Sequence, residues 1–243
     1  LAYNFSSCIG LYTPNRPPTP ILERGWVNLS AGGHGSSFEA QGAYGITDHI
    51  GVLASYDNQQ PSGDPLADFS GKFFDLGVGY FDYYRSHWHF EGWAALGWGS
   101  ANGRIAKGGP VGFEGSPVIH SMEGEYDLPA TNKVREIDAK YFRESIQAHW
   151  GLEGNVGGLG IGGRVSTLEL YRWHQIDRPD SGAGSTTEIT GSLSGLLFEP
   201  YVFLHLGTKW VKLYTELWVS YPLNRFHESY SPVNLAGGVI LEF

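Results

Sequence analysis

The chain has 243 residues, 35 of them glycine, 14 tyrosine, 13 phenylalanine and 8 tryptophan, with one cysteine and one methionine. A formal charge of −9 leaves no basic footprint for a nucleic acid, and the lone cysteine, Cys8, excludes an internal disulfide framework and any cysteine-rich zinc site. Mean hydropathy is −0.22 and no 18-residue apolar run occurs, which excludes a transmembrane helix but not a transmembrane barrel, whose strands are each only weakly apolar.

Residues 1–24, LAYNFSSCIGLYTPNRPPTPILER, contain Pro14, Pro17, Pro18 and Pro20. Proline donates no ladder hydrogen bond, so this is an extended segment leading into whatever follows. From residue 25 onward the period becomes 2. Phe74, Leu76, Val78 and Tyr80 alternate with Asp75, Gly77 and Gly79; Phe90, Ala94, Leu96 and Trp98 with His89, Glu91 and Gly97. Ile146, Ala148, Trp150 and Leu152 alternate with Ser145, Gln147, His149 and Glu153, and Val211, Leu213, Leu217 and Val219 with Lys212, Glu216 and Ser220. Such stretches are strands with one apolar and one polar face. About ten are expected, near 25–33, 37–46, 49–57, 72–85, 87–100, 141–154, 158–173, 192–206, 209–221 and 232–243.

The connections alternate between short and long. Thr47-Asp48, Arg85-Ser86, Asn155-Val156-Gly157 and Gly207-Thr208 are tight turns, whereas 58–71, 101–140, 174–191 and 222–231 are long, with Gly33-His34-Gly35 the short member of that second series. A soluble sandwich has no reason to sort its loops by parity. An outer-membrane barrel has short periplasmic turns, longer external loops and an even strand number, so the expected fold is a closed antiparallel transmembrane β-barrel over 25–243. The last strand, VNLAGGVILEF, keeps one face apolar or glycine up to Phe243.

These features together resemble the bacterial outer-membrane β-barrels of Gram-negative cells. The resemblance implies that the strand ending in Phe243 is read by the insertion machinery and pairs with the first strand, and that both termini are periplasmic. Gly237 and Gly238 depart from the aromatic often found near the middle of that family's last strand. Phe5-Ser6-Ser7-Cys8 resembles a lipobox, which implies lipidation of Cys8 and a lipoprotein like the small barrel lipoproteins of the Bacteroidota, with Leu1 in the tail of a signal peptide. The other reading of Cys8 is an unmodified thiol. Two aromatic girdles are expected, Tyr80, Tyr83, Tyr84 and Trp88 at the tight turns and Tyr56, Trp98, Tyr171, Trp173 and Tyr221 at the long-loop ends.

Sending the apolar positions to lipid turns Glu39, Asp75, Glu91, Glu153, Glu199, Glu216 and Glu242 inward with Arg143, Arg164 and Lys212. Counting from Gly207-Thr208 sets Glu199 opposite Glu216, and the expected lumen cluster is Arg164 bridging Glu199 and Glu216, with Lys212 and water as the alternative neutralisers. His87, His89 and Glu91 share one face of strand 5 and form a weak metal candidate, although polar lumen lining explains them equally. His174, Asp177, His227 and Glu228 lie near the outer rim, where an acid–base site would sit. The connection 101–140 is long enough for a lid, a plug or a docking surface.

The function expected is that of an integral barrel with a closed, polar-filled lumen, acting as a structural or interaction protein and an accessory subunit of a larger outer-membrane complex. Its surroundings would be the lipid bilayer and lipopolysaccharide, with a protein partner through 101–140; no nucleic acid and no cofactor is implied. Ten strands enclose too little space for sizeable solutes. A rim-sited hydrolase acting on protein or lipid, and a narrow pore or small-ligand binder, are the alternatives.

Overall fold

The computed structural model describes residues 16–17, 23–34, 36–61, 67–84, 87–105, 133–154, 156–179, 187–223 and 233–243. They form β1 (Val27–His34), β2 (Ser37–Gly45), β3 (Ile50–Gln59), β4 (Ala67–Tyr84), β5 (Trp88–Ile105), β6 (Lys133–Glu153), β7 (Gly157–Pro179), β8 (Thr187–Gly207), β9 (Val211–Val219), the two-residue β10 (Tyr221–Pro222) and β11 (Val233–Glu242). β10 continues β9 past Ser220, so the barrel has ten strands. Each pairs antiparallel with its neighbour in sequence, and β11 pairs with β1 to close the ring. The closing seam reaches the last residue: Val27 N donates to Phe243 O at 2.8 Å and Phe243 N to Val27 O at 3.1 Å. In hydrocarbon this closure is obligatory, because no water is present to satisfy an open edge.

Pleating sends alternate residues out, and the outward set includes Leu29, Val52, Leu76, Val78, Leu96, Ile146, Ile161, Val202, Leu213 and Val239, all exposed. Aromatic rows bound this belt. At one end Tyr56 pairs with Phe74, Phe74 with Trp98, and Trp98 with Phe142. At the other Tyr84 pairs with Trp88 and Phe90 with Trp150, the rings of Trp88 and Trp150 meeting edge-on at 5.7 Å. From Trp88 to Trp98 is about 33 Å of strand, which at a tilt of about 40° gives a belt roughly 25 Å high, the thickness a transmembrane barrel covers. Tyr83, expected in the lower girdle, has inward parity, and its ring lies 6.2 Å from that of His89. The side chain of Trp173 lies outside the described residues.

Strands β4 to β8 run 18 to 23 residues, while β1, β2, β3, β9 and β11 run 8 to 10. The connection expected over 101–140 is therefore shorter, since 101–105 and 133–140 are strand; 106–132 lie outside the described residues. Likewise β7 and β8 run into the connection expected over 174–191.

Above the row Phe74–Trp98–Phe142 the polarity of the wall inverts without a change of period. On β4 the outward residues become Lys72, Ser70 and Asp68, and the inward ones Phe73 and Phe69. Outward Lys72 pairs with Ser100, Ser100 with Lys140, and Lys140 with Arg172. Inward, Phe69, Phe73, Ala101, Ile137, Ala139, Tyr141, Leu168, Leu170 and Leu197 pack into one buried cluster. That is the pattern of a sheet in water with a dry inner face, the opposite of the belt below it. On the β4–β8 side the lumen is thus polar within the belt and apolar at its long-connection end, while β3 still turns Asp57 and Gln59 inward beyond the girdle.

Candidate functional site: the filled lumen

The inward faces of all barrel strands carry polar side chains, and those of every one but β1 carry a carboxylate, a lysine or an arginine. Against the buried carboxylates of Glu39, Asp57, Asp75, Glu91, Glu199, Glu216 and Glu242 stand Arg16, Arg143, Arg164 and Lys212. A buried ion costs several kcal/mol unless paired, so the pairing dictates how the interior is filled.

Three separate groups result. On the β4–β8 side, Arg143 on β6 reaches over Gly97 on β5 to bond Asp75 on β4, while Ser55 donates to Asp75 at 3.2 Å. Gly97 is the residue that permits this, since a Cβ there would lie 2.1 Å from Asp75 Oδ1. The Arg143 guanidinium also lies 4.3 Å from the centre of the Phe73 ring, joining the charged layer to the apolar one above. Beside it Arg164 Nε donates to Glu199 Oε2 at 2.6 Å, and Ser166 and Ser220 donate to the same carboxylate at 3.1 and 3.2 Å.

The second group is built on Arg16, from the proline-rich segment. Its guanidinium donates to Ser30 Oγ at 2.5 Å, approaches Glu39 and Glu216 at 3.7 Å each, and lies 4.2 Å over the Tyr214 ring. Its backbone is fixed as well, the N–H donating to Glu39 Oε2 at 3.0 Å and the carbonyl accepting from Gln41 Nε2 at 3.1 Å. Tyr214 lies flat because Gly32 and Gly238 leave room: a Cβ on Gly238 would come 2.8 Å from its ring and 2.1 Å from Ala31 O. Gly238 in the last strand therefore serves a lumen platform.

The third group lies at the tight-turn end. Lys212 bonds Glu153 at 2.9 Å and Glu242 at 2.9 Å, His205 meets Glu153 at 2.8 Å, and Asn28 donates to Glu242 at 3.2 Å. His89 and His149 face each other through their Nε2 atoms at 3.1 Å.

The four residues expected as one cluster are thereby divided. Arg164 hydrogen-bonds Glu199, but neither oxygen of Glu216 accepts a hydrogen bond, and Lys212 serves Glu153 and Glu242. The cause is register. Gly207 pairs with Lys212 and Phe203 with Glu216, because the hairpin turns over Thr208, Lys209 and Trp210, with Thr208 Oγ1 accepting from the Trp210 and Val211 N–H groups. Assuming a two-residue turn at Gly207-Thr208 set Glu216 opposite Glu199, where Ser220 stands.

His87, His89 and Glu91 do not converge. His87 is exposed before β5 with Nδ1 against Glu153 O at 3.2 Å, while His89 and Glu91 are buried and Glu91 accepts from Trp93 Nε1 at 3.1 Å. Among the described residues the metal-ligating side chains that do converge are His34, Glu39 and Asp57. At the rim, His174 lies on β7 opposite Asp138. Cys8, His227 and Glu228 lie outside the described residues, as does the side chain of Asp177.

Three residues of the lumen are not found by the sequence reading: Asp57 stands at the very end of its expected strand, His34 in an expected turn, and Arg16 in the expected extended segment before the barrel. Arg16 did carry a signal: it is the sole charged residue among the first 22, beside an interior short of cations.

On the outer wall a groove of about 570 Å³ runs between β4 and β7, lined by Leu76, Val78, Leu96, Ile146 and Val165. It also holds Glu144, which accepts from Thr167 Oγ1 at 3.4 Å on the lipid-facing side.

No protein-family model and no curated protein matches this sequence. Among solved structures, the chain is similar to the translocator domain of autotransporter NalP from Neisseria meningitidis at 10% identity and TM-score 0.46, over 90% of this chain and 86% of that one. It is also similar to the KdgM porin at 8% identity and TM-score 0.38, over 90% and 99%. A third is the N-terminal β-barrel domain of Pseudomonas aeruginosa OprF, at 10% identity and TM-score 0.34, over 91% and 100%. The assignment as a closed transmembrane barrel rests on the strand pairing and the apolar belt.

Proposed function

We propose that this chain is a sealed outer-membrane barrel that acts as a membrane scaffold rather than a conduit. The observation that carries this reading is the filling of the lumen: an apolar layer at the external end of β4–β8, ion-paired layers beneath it, and Arg16 wedged into the other half. Two surface features support a role in contacts. The row Lys72, Ser100, Lys140 and Arg172, one step above the aromatic girdle, suits the phosphates of lipopolysaccharide. The groove holding Glu144 suits a neighbouring membrane protein, since a carboxylate facing plain lipid is a standing cost that a polar partner side chain would relieve. A contribution from 106–132 to that partner, and lipidation at Cys8, belong to the same reading.

Planar-bilayer recording tests it. The folded chain is expected to give no conductance steps, and stable steps from the wild type would overturn the scaffold reading. A second reading, a narrow pore, is favoured by Arg16 alone, because that plugging side chain belongs to no strand. Cation-selective current from Arg16→Ala, with a silent wild type, would establish a gated pore.

A further inference from the structure

At the external end of the short wall three neighbouring strands bring His34, Glu39 and Asp57 together. Glu39 on β2 and Asp57 on β3 are direct register partners, and His34 closes β1 beside them. They are 6%, 2% and 3% exposed, and one ligand atom from each lies within 4.8 Å of the others. His34 Nε2 and Asp57 Oδ2 stand 3.4 Å apart, and neither makes a hydrogen bond. Two ligands each about 2.0–2.1 Å from a tetrahedral ion lie about 3.3 Å from one another, so this separation is the bite of a metal site.

The surroundings favour a cation. Arg16 is shared between Glu39 and Glu216, so three nearby carboxylates (Glu39, Asp57, Glu216) face one guanidinium and a neutral or singly charged imidazole. Glu39 is oriented from behind, accepting from Arg16 N at 3.0 Å and Gln41 Nε2 at 2.5 Å, the kind of outer support that ligating carboxylates receive. The His34 ring is held edge-on against Trp218, with centroids 5.1 Å apart.

The geometry points to a divalent transition-metal site formed by His34 Nε2, Asp57 and Glu39, fastening β1, β2 and β3 at the external mouth. One imidazole with two carboxylates selects a first-row dication such as Zn²⁺ over Mg²⁺ or Ca²⁺, which prefer all-oxygen shells, and the absence of thiolate in the set disfavours Cu(I). Three protein ligands leave the fourth position to water or to an incoming ligand. The site is independent of whether the barrel conducts.

The test uses the full chain, folded in detergent, without a histidine tag and stripped with chelator. Calorimetric titration with Zn²⁺ is expected to give one ion per chain. His34→Gln and Asp57→Asn should each weaken binding about tenfold or more, while His89→Gln, in the His89–His149 pair, leaves it unchanged. If either variant lacks the heat-modifiable band of a folded barrel, X-ray absorption on the zinc-loaded wild type decides, with one imidazole and oxygen neighbours expected. A folded wild type that binds no Zn²⁺, a shell without imidazole, or binding lost in His89→Gln but kept in His34→Gln would overturn the site and leave His34 and Asp57 as a plain ion pair.

Discussion

Replacing Arg164 with methionine removes the charge while keeping most of the apolar stem. Glu199 is 0% exposed and would retain the hydroxyls of Ser166 and Ser220 as hydrogen-bond partners, with the Arg143 charge nearby. Opposite charges about 4 Å apart attract by about 4 kcal/mol at an effective dielectric constant near 20, the value suited to protein sites. Removing one partner of a buried pair costs about 3–5 kcal/mol by comparison with other proteins, so the two estimates agree. Arg164→Met should therefore lower stability by about 4 kcal/mol, and Arg164→Met with Glu199→Gln should recover at least half, because the stranded charge is gone. Urea titration of the barrel in lipid vesicles, followed by tryptophan fluorescence and heat-modifiable migration, reads both values. The exposed pair Arg24–Asp48, 3.9 Å apart with both side chains 69% exposed, serves as control and should show no measurable change on Arg24→Ala. A loss below about 1 kcal/mol for Arg164→Met, or a double variant no more stable than the single, would refute the claim that this pair carries buried charge.

Three further outcomes are expected. With Cys8→Ser as background, cysteines at Asn102 and Lys140 should react with a membrane-impermeant maleimide on intact cells, whereas cysteines at Leu96 and Ile146 should not; equal labelling would misplace the membrane boundary. Gly238→Val should spread the β1–β11 seam, since its Cβ would come 2.1 Å from Ala31 O, costing about 1–3 kcal/mol in the same unfolding assay, whereas Gly191→Ala, with open space around it, should be neutral. Glu144→Leu should stabilise the isolated barrel in lipid by roughly 1 kcal/mol and abolish any adduct from a photo-crosslinker placed at Val165 in cells; a destabilised barrel would mean that Glu144 serves the fold itself.

The barrel was legible because parity of loops and period 2 are set locally, and closure follows because a sheet in hydrocarbon cannot keep an open edge. Each tight turn needs only its own residues, as Thr47 shows by accepting from the His49 and Ile50 N–H groups at 3.2 and 2.9 Å. Inward carboxylates follow from parity alone. Register was not legible, because it depends on where a hairpin turns: one extended turn at Thr208–Trp210 moved Glu216 four positions from its expected partner. Strand ends were not legible either. The apolar-out, polar-in pattern holds only up to Phe73–Phe74, where the sense reverses while the period persists, so the far ends of β4 to β8 look like loop in the sequence. Arg16 was missed because prolines around it argue correctly against a strand, yet a segment need not be a strand to enter a barrel.

That reversal bears on what the molecule does. A wall that rises into water with an apolar inner face must keep that face dry. Phe69, Phe73, Tyr141, Leu168, Leu170 and Leu197 are each 5% exposed or less. Burying a side chain of this size is worth about 1.5–3 kcal/mol, so wetting these six would cost on the order of 10 kcal/mol, beyond what thermal fluctuation supplies. On the scaffold reading proposed above, this burial keeps the β4–β8 half of the mouth shut. The opposite half is held differently, by one arginine set among Glu39, Glu216, Ser30 and Tyr214 beside a smaller buried cluster of Tyr201, Tyr214, Trp218, Ala236 and Ile240. On the narrow-pore reading proposed above, a passage would run there, along β9, β11 and β1 to β3, past carboxylates that would admit cations and repel anions. The same half carries His34, Glu39 and Asp57, so an ion bound among them would tie together the strands that such a passage would have to part.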